Sequence, residues 1–396
     1  MAVVEFKGVD VVFGGRQREA LALLDAGQTR EEIHAASDAV IGVAGAELAV
    51  EEGRICVLMG LSGSGKSSLL RCVNGLNKVS RGTLLVSRGG GGEAVDVASC
   101  SADALRQLRM NRIAMVFQQF GLLPWRTVRE NVGFGLELKG LPKSEIDRIV
   151  DEKLALVHLE QWSEKLIAEL SGGMQQRVGL ARAFATDGDI LLMDEPFSAL
   201  DPLIRHHLQD ELLALQRRLK KTIIFVSHDL DEALKLGNHI AIMDGGHIVQ
   251  QGPPEQIVLQ PANEYVRQFV ANMNPLQVLN ATALMTPLAA LPRDGELLLL
   301  EGGIRLSLDA DGGIASIASG AGKALPLCDI ERFDGAAGEG EAPLLRAGAD
   351  TGMRALVAAR RRTRRPILIA DGPRLLGAIG ERELYDGLLR QGAEHS

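Results

Sequence analysis

The octapeptide GLSGSGKS, Gly60–Ser67, constrains this chain more than any other stretch. The text before it, RICVLMG, reads as a buried strand, and SSLLRCVNGL after it reads as a helix. Strand, glycine-rich loop and helix is the context in which G-x-x-x-x-G-K-[ST] wraps phosphates. Gly60, Ser62, Gly63, Ser64, Gly65 and Ser68 are the expected backbone and hydroxyl contacts. Lys66 is expected to reach the β- and γ-phosphates, and Ser67 to offer an oxygen to Mg²⁺. The bland alternative is a glycine-rich turn with an incidental lysine, and the flanking strand and helix argue against it.

The surrounding text supplies the rest of an α/β architecture. VVEFKGVDVVFGG reads as an opening strand, followed by a helical insert at about 15–48 in which Thr29 and Glu32 have capping-box spacing. GTLLVSRGGGGEAVDV reads as two strands joined by a loose Gly89–Gly92 tip. From 119 to 188 the text turns helical, with Ile146, Ile149, Val150, Leu154 and Val157 on one face. DILLMDEP and TIIFVSHD are buried-strand runs flanking a helix with Ile204, Leu208, Leu212, Leu215 and Leu219 at helical spacing. HIAIMDGGHIVQQG is a hairpin turning at Asp244-Gly245-Gly246. Strands alternating with helices predict a mainly parallel sheet, with an antiparallel β subdomain and an inserted helical subdomain. Composition changes near 275–280, which predicts a first domain over 1–275 and a smaller α+β domain over 276–396.

Two acids end the first of those buried strands. Asp194 is placed to hold Mg²⁺ through water, and Glu195 to polarise an attacking water. In isolation the better reading would be two acids ending a strand; beside the phosphate loop it is the weaker one. His228 ends the second strand as a neutral-range donor and acceptor within reach of a γ-phosphate. A second anion cradle is spelled by LSGGMQQR: Ser171, Gly172 and Gly173 open a predicted helix whose free N–H groups and dipole favour an anion.

Taken in order, these motifs resemble the nucleotide-binding subunit of an ATP-binding cassette (ABC) transporter. The order is Gly60–Ser67, Gln118 in VFQQ, LSGGM, Asp194-Glu195, Ser198-Ala199-Leu200-Asp201, then His228. The resemblance spans roughly residues 1–270 and implies an ATPase using ATP and Mg²⁺. It implies that Gln118 touches Mg²⁺ and the lytic water, and that Asp201 communicates across a dimer. Phe13 is the implied adenine-stacking aromatic, although a Phe ending a strand is more often core. Ser171, Gly172, Gly173, Met174 and Gln175 are implied to close on the γ-phosphate held by a second copy. Met174 stands where many members carry Gln, which leaves the N–H cradle in place. A closer resemblance is to ATPase subunits of quaternary-amine importers (choline, glycine betaine, proline betaine). It rests on the insert, FSALDPLIRHHLQDEL, SHDLDEALKLGNHIAIM and PANEYVRQF, with 118–140 nearest to choline importers. Separate integral-membrane permease subunits and, indirectly, a periplasmic or extracellular binding protein are the implied partners.

Composition bears on the rivals. A net charge of −8 argues against a general nucleic-acid binder, and one cassette without sustained heptads argues against a nucleic-acid-associated cassette ATPase. A cassette for another substrate remains the alternative, and a pure nucleotide sensor would have no need of both Glu195 and His228. With two Trp and two Tyr, the chain is poorly equipped to build an aromatic cage for a quaternary ammonium. Four isolated cysteines suit a reducing compartment. The start carries no signal-peptide pattern and no run approaches a membrane span, so a cytoplasmic protein peripheral to the inner membrane face is expected.

In the tail, MRALVAARRRTRRPILIADGPRLLGAIGERELYDGLL resembles one half of a cystathionine-β-synthase (CBS) type regulatory pair over 351–391. Its partner is expected in 281–345, where the text fits poorly. Five of the six residues Arg360–Arg365 are arginine, Thr363 being the exception. A solvated charged face is the first reading, and electrostatic contact with anionic lipid, weakened by salt, the second.

Overall fold

The computed structural model describes residues 2–89, 92–117, 121–186, 188–198, 200–271, 273–333 and 342–389. The chain divides into two compact units, Met1–Pro253 and Pro254–Ser396. That division falls upstream of the 275–280 expected from composition. The reason lies in the short helices Pro254–Leu259 and Glu264–Val270, which belong to the second unit. There Glu255 accepts a hydrogen bond from the Asn280 amide at 2.8 Å.

The first unit opens with β1 (Ala2–Gly14), α1 (Gln17–Asp25), α2 (Arg30–Ser37) and β2 (Ala39–Glu51). The 15–48 insert is therefore helical only to Ser37. From Ala39 the alternating AVIGVAGAELAV pairs antiparallel with β1, Phe13 facing Val40 and Phe6 facing Leu48. The Thr29–Glu32 capping box forms as expected. Next come β3 (Ile55–Met59), α3 (Lys66–Val73), β4 (Arg81–Val86), β5 (Val95–Asp96), α4 (Ala102–Asn111) and β6 (Ile113–Val116). Strands β2-β1-β4-β5 form the antiparallel sheet.

The helical segment contains α5 (Val128–Leu138), α6 (Lys143–Leu156) and α7 (Gly172–Ala185). Its core includes Val132, Val150, Leu154, Val157, Val178 and Ala181. Then follow β7 (Ile190–Asp194), α8 (Pro202–Leu219), β8 (Thr222–Val226), α9 (Leu230–Leu236), β9 (His239–Asp244) and β10 (His247–Gly252). The six-stranded sheet runs β10-β9-β3-β8-β7-β6, parallel throughout except for the β9–β10 hairpin. Gly245 and Gly246 turn that hairpin with φ of 52° and 89°, the left-handed pair that a two-residue turn demands. Leu208, Leu212 and Leu215 of α8 are buried as their spacing predicts, but Leu219 is exposed at the last turn.

The second unit holds a four-stranded antiparallel meander, Arg293–Asp294, Leu297–Leu300, Ile304–Leu308 and Ile314–Ala318. Its five-stranded mixed sheet is ordered Thr286–Pro287, Arg374–Ile379, Ile367–Asp371, Leu344–Gly348, Leu327–Asp329. Helix Met353–Thr363, the strand pair and helix Glu381–Leu389 stand in the order read from 351–391. Arg360 does not belong to a solvated face. Its guanidinium is largely buried and paired with Glu301 at 2.5 Å and Glu381 at 3.2 Å, leaving Arg361, Arg362 and Arg364 exposed.

Candidate nucleotide site

Register decides what meets at the carboxyl edge of the parallel sheet. Leu58 of β3 and Asp194 of β7 both pair with Val226 of β8. The chain therefore leaves three neighbouring strands at one level, placing Gly60, Glu195 and His228 along a single crevice. In open α/β sheets that crevice is where ligands bind.

The loop from Gly60 to Gly65 is shaped by close backbone approach. A Cβ at Gly60 would collide with the Met243 carbonyl, and one at Gly65 with the Gly42 carbonyl. Both glycines hold positive φ, 140° and 102°. Such a cradle aims its N–H groups at an anion, at the N-terminus of α3. Lys66 is 5 % exposed, and its ammonium donates to the Gly60 and Leu61 carbonyls, both at 2.8 Å. Burial pushes its pKa below the ordinary lysine value, while the charges of Glu195 and Asp194 oppose that shift.

Asp194 is fully buried, and both its oxygens are used. The Ser67 hydroxyl donates to Oδ1 at 2.7 Å, while Arg71 donates to Oδ2 through Nε at 3.1 Å and Nη2 at 2.8 Å. A hydroxyl and a carboxylate oxygen side by side form a hard donor pair suited to Mg²⁺. With the cradle and the lysine, this donor set fits the triphosphate and metal of MgATP.

Glu195 has φ 47°, a left-handed conformation that costs a non-glycine residue energy and tends to occur at working sites. Its N–H continues the ladder to the Val226 carbonyl at 3.2 Å, and its own carbonyl accepts from the Ser198 amide and hydroxyl. Its Oε2 lies 3.5 Å from His228 Nδ1. Beneath His228 a buried network fixes the turn. Ser227 donates to Glu232 at 2.5 Å, Gln209 donates to the same carboxylate at 3.0 Å, and the Asp229 amide donates to Ser227 at 2.9 Å. Burial raises the Glu232 pKa, and the two donors partly counter that shift. Arg205 of α8 joins this turn to the preceding loop through Asp229 at 3.2 Å and the Leu200 carbonyl at 3.4 Å.

Phe13 packs on Gly42, a neighbour of the phosphate loop. A Cβ on Gly42 would lie 2.5 Å from its ring, and Gly42 itself abuts Gly65. From α2, Arg30 donates to the Gly63 carbonyl at 3.2 Å and to the Ile41 carbonyl, so the insert braces the phosphate loop. The second cradle stands elsewhere in the unit. Ser171 caps α7, accepting from the Met174 amide at 3.4 Å, and Gly173 packs towards Leu200. Met174 packs against the helical core, and the Gln175 amide donates to the Ile167 and Leu170 carbonyls, both at 3.1 Å. Asp201 caps α8, accepting from Ile204 at 3.1 Å. Gln118 and Ala199 lie outside the described residues.

Arg30, Arg71, Arg205, Gln209 and Glu232 were not singled out by motif. Each acts through a partner distant in sequence, Arg71 and Asp194 being separated by 123 positions. The two arginines beside carboxylates had no local spacing to betray them. Thr29-Arg30-Glu31-Glu32 showed a helix start but not its target.

The comparisons with known proteins agree with this geometry. The ABC transporter family model matches residues 43–198. The chain is 46 % identical over 285 residues to the glycine betaine/carnitine transport ATP-binding protein of Listeria monocytogenes, covering 72 % of this chain and 70 % of that one. It is 47 % identical over 278 residues to the glycine betaine/proline betaine transport system ATP-binding protein of Escherichia coli, covering 70 % and 68 %. Among solved structures, a dimeric post-hydrolysis state of an ATP-binding cassette bound to ADP and Pi is similar at 27 % identity and TM-score 0.54. It covers 63 % of this chain and 98 % of that one.

Proposed function

This chain belongs to the ABC transporter ATP-binding family, whose members hydrolyse MgATP, and from that premise we propose that it energises an importer of a small quaternary amine. The observation that carries the ATPase part of the proposal is the convergence of Lys66, Ser67, Asp194, Glu195 and His228 on one sheet edge, and the amine class rests on the named relatives. The loop amides and Lys66 hold the phosphates, and Phe13 stacks on the adenine. Ser67 and Asp194 hold the substrate's Mg²⁺, with Gln118 as a further contact. Glu195 accepts the proton of a water whose oxygen attacks the γ-phosphorus as the bond to ADP breaks. His228 orients that water and the transferring phosphoryl group.

The second cradle, Ser171–Gln175, is assigned to the γ-phosphate of another copy of the chain. The Gln175 amide serves this role indirectly, by tying the start of α7 to 167–170. Asp201, at the head of α8, is assigned to the same dimer contact. Among the described residues no helix is long and apolar enough to cross a membrane. Family membership supports permease subunits and a substrate-binding protein as partners, and a place at the inner membrane face is part of the same proposal. Relatives named for glycine betaine, carnitine and proline betaine support the amine class, with choline as the narrower proposal. The test is uptake in cells lacking this subunit. Restored uptake of radiolabelled betaines or choline by the wild-type chain, and none by Glu195→Gln, is expected; no restored amine uptake overturns the assignment.

The second unit is assigned a regulatory role, with 351–391 as a partial CBS-type module. Anionic lipid is the proposed partner of Arg361, Arg362 and Arg364, since Arg360 is committed to Glu301 and Glu381. Replacing the three exposed arginines by Gln is expected to flatten the salt response of ATP hydrolysis by the assembled complex in anionic membranes. An unchanged response removes lipid from the account.

A further inference from the structure

Away from the nucleotide site, His158, His207 and Glu211 bring their ligand atoms within 4.8 Å of one another. His158 Nε2 and His207 Nε2 both point at Glu211 Oε1, at 3.2 and 3.0 Å. The two imidazoles lie side by side, with ring centroids 5.8 Å apart and planes inclined by 24°. Tetrahedral coordination with bonds of ~2.0–2.1 Å places neighbouring donor atoms about 3.3 Å apart. The two imidazole–carboxylate separations are close to that edge, and the third pair lies within the 4.8 Å that encloses all three atoms.

The backbone holds these donors in place. His158 follows α6 with φ 55°, a conformation that glycine or asparagine would adopt more readily. Its neighbours Val157 and Leu159 are anchored in the core of the helical segment. His207 and Glu211 are one turn apart on α8, whose rotation is fixed by the buried Leu208, Leu212 and Leu215. Two imidazoles and one carboxylate make a borderline donor set that suits zinc-like ions, in contrast to the oxygen pair at Ser67 and Asp194.

We propose that His158, His207 and Glu211 form a site for a divalent transition-metal ion of the zinc type, with solvent completing the coordination. The ion ties the end of α6 to the middle of α8, the helix that Asp201 opens. Site and nucleotide chemistry are separate, so the two assignments stand or fall independently.

The experiment titrates Co²⁺, and Zn²⁺ in competition, into chelator-stripped full-length chain without nucleotide. Visible ligand-field absorption reports the geometry. One tightly bound equivalent with a tetrahedral-type spectrum is expected. Glu211→Gln retains a hydrogen-bond acceptor for both imidazoles, and His158→Asn suits the left-handed backbone. Neither variant should disturb the fold, and the metal-free melting temperature of each verifies this. Each variant, and His207→Ala, is expected to weaken binding by at least about tenfold. Absence of a bound equivalent, or binding by all three variants equal to wild type, overturns the proposal.

Discussion

Glu195 is held in a left-handed backbone conformation at the end of β7, where the ladder to Val226 and the Ser198 bonds over-determine its position. Its carboxylate Oε2 lies 3.5 Å from His228 Nδ1. Glu195→Gln keeps the shape and removes the base, so turnover is expected to fall by roughly 10²-fold or more. ATP affinity, measured by equilibrium binding, should change little; near-normal turnover would remove Glu195 from the catalytic role. Arg71 acts differently, because it neutralises a buried carboxylate. Arg71→Met leaves Asp194 with Ser67 as its remaining described partner. The nucleotide-free chain is then expected to lose about 1–2 kcal/mol, a figure discounted because the Arg71 side chain is 39 % exposed. Saturating MgATP should shrink the loss, since the substrate's metal takes over the neutralisation; melting curves with and without MgATP check this. At this scale the sequence was most legible where a motif fixes spacing, as in Gly60–Ser67. It was least legible for Arg71 and Arg30, whose partners are set by sheet register and by a packed insert.

Elements were readable where periodicity and caps agree. Thr29–Glu32 starts α2, Asp244-Gly245-Gly246 turns the hairpin, and the buried leucines of α8 follow their 3.6-residue spacing. The insert is strand from Ala39, not helix; its Ala- and Gly-rich text carries weak strand signal until a partner such as β1 is in place. The meander of 293–318 was invisible for a similar reason, its strands being two to five residues long. Asp201, proposed above for the dimer contact, is also the N-cap of α8. Asp201→Ala is expected to cost ~1 kcal/mol of stability through the lost cap alone, measured by denaturant unfolding of the isolated chain. The turn carrying His228 rests on Glu232. Burial makes the folded chain hold this proton more tightly than the unfolded chain does. The residue's contribution therefore declines as pH rises from its ordinary 4.5 towards the raised value. Glu232→Gln, with the Gln209 amide turned to suit it, should lose less melting temperature than wild type between that pH and neutrality. Parallel profiles would show that Glu232 is not the titrating group.

At the scale of the whole molecule, the chain carries two anion cradles, one at the edge of the parallel sheet and one at the head of α7. The first gathers Lys66, Ser67, Asp194, Glu195 and His228, to which phosphate, metal and water contacts are assigned above. The second, opened by Ser171, Gly172 and Gly173 at the head of α7, is the one proposed to close on the γ-phosphate of another copy. The account's central claim is that two copies of this chain share each ATP. Its most direct test is ATP hydrolysis by mixtures of wild type with Ser171→Arg, at constant total protein. The mutant chain should lower turnover below the level set by the wild-type fraction, because each wild-type phosphate loop paired with it loses its partner cradle. Turnover strictly proportional to the wild-type fraction would contradict the claim.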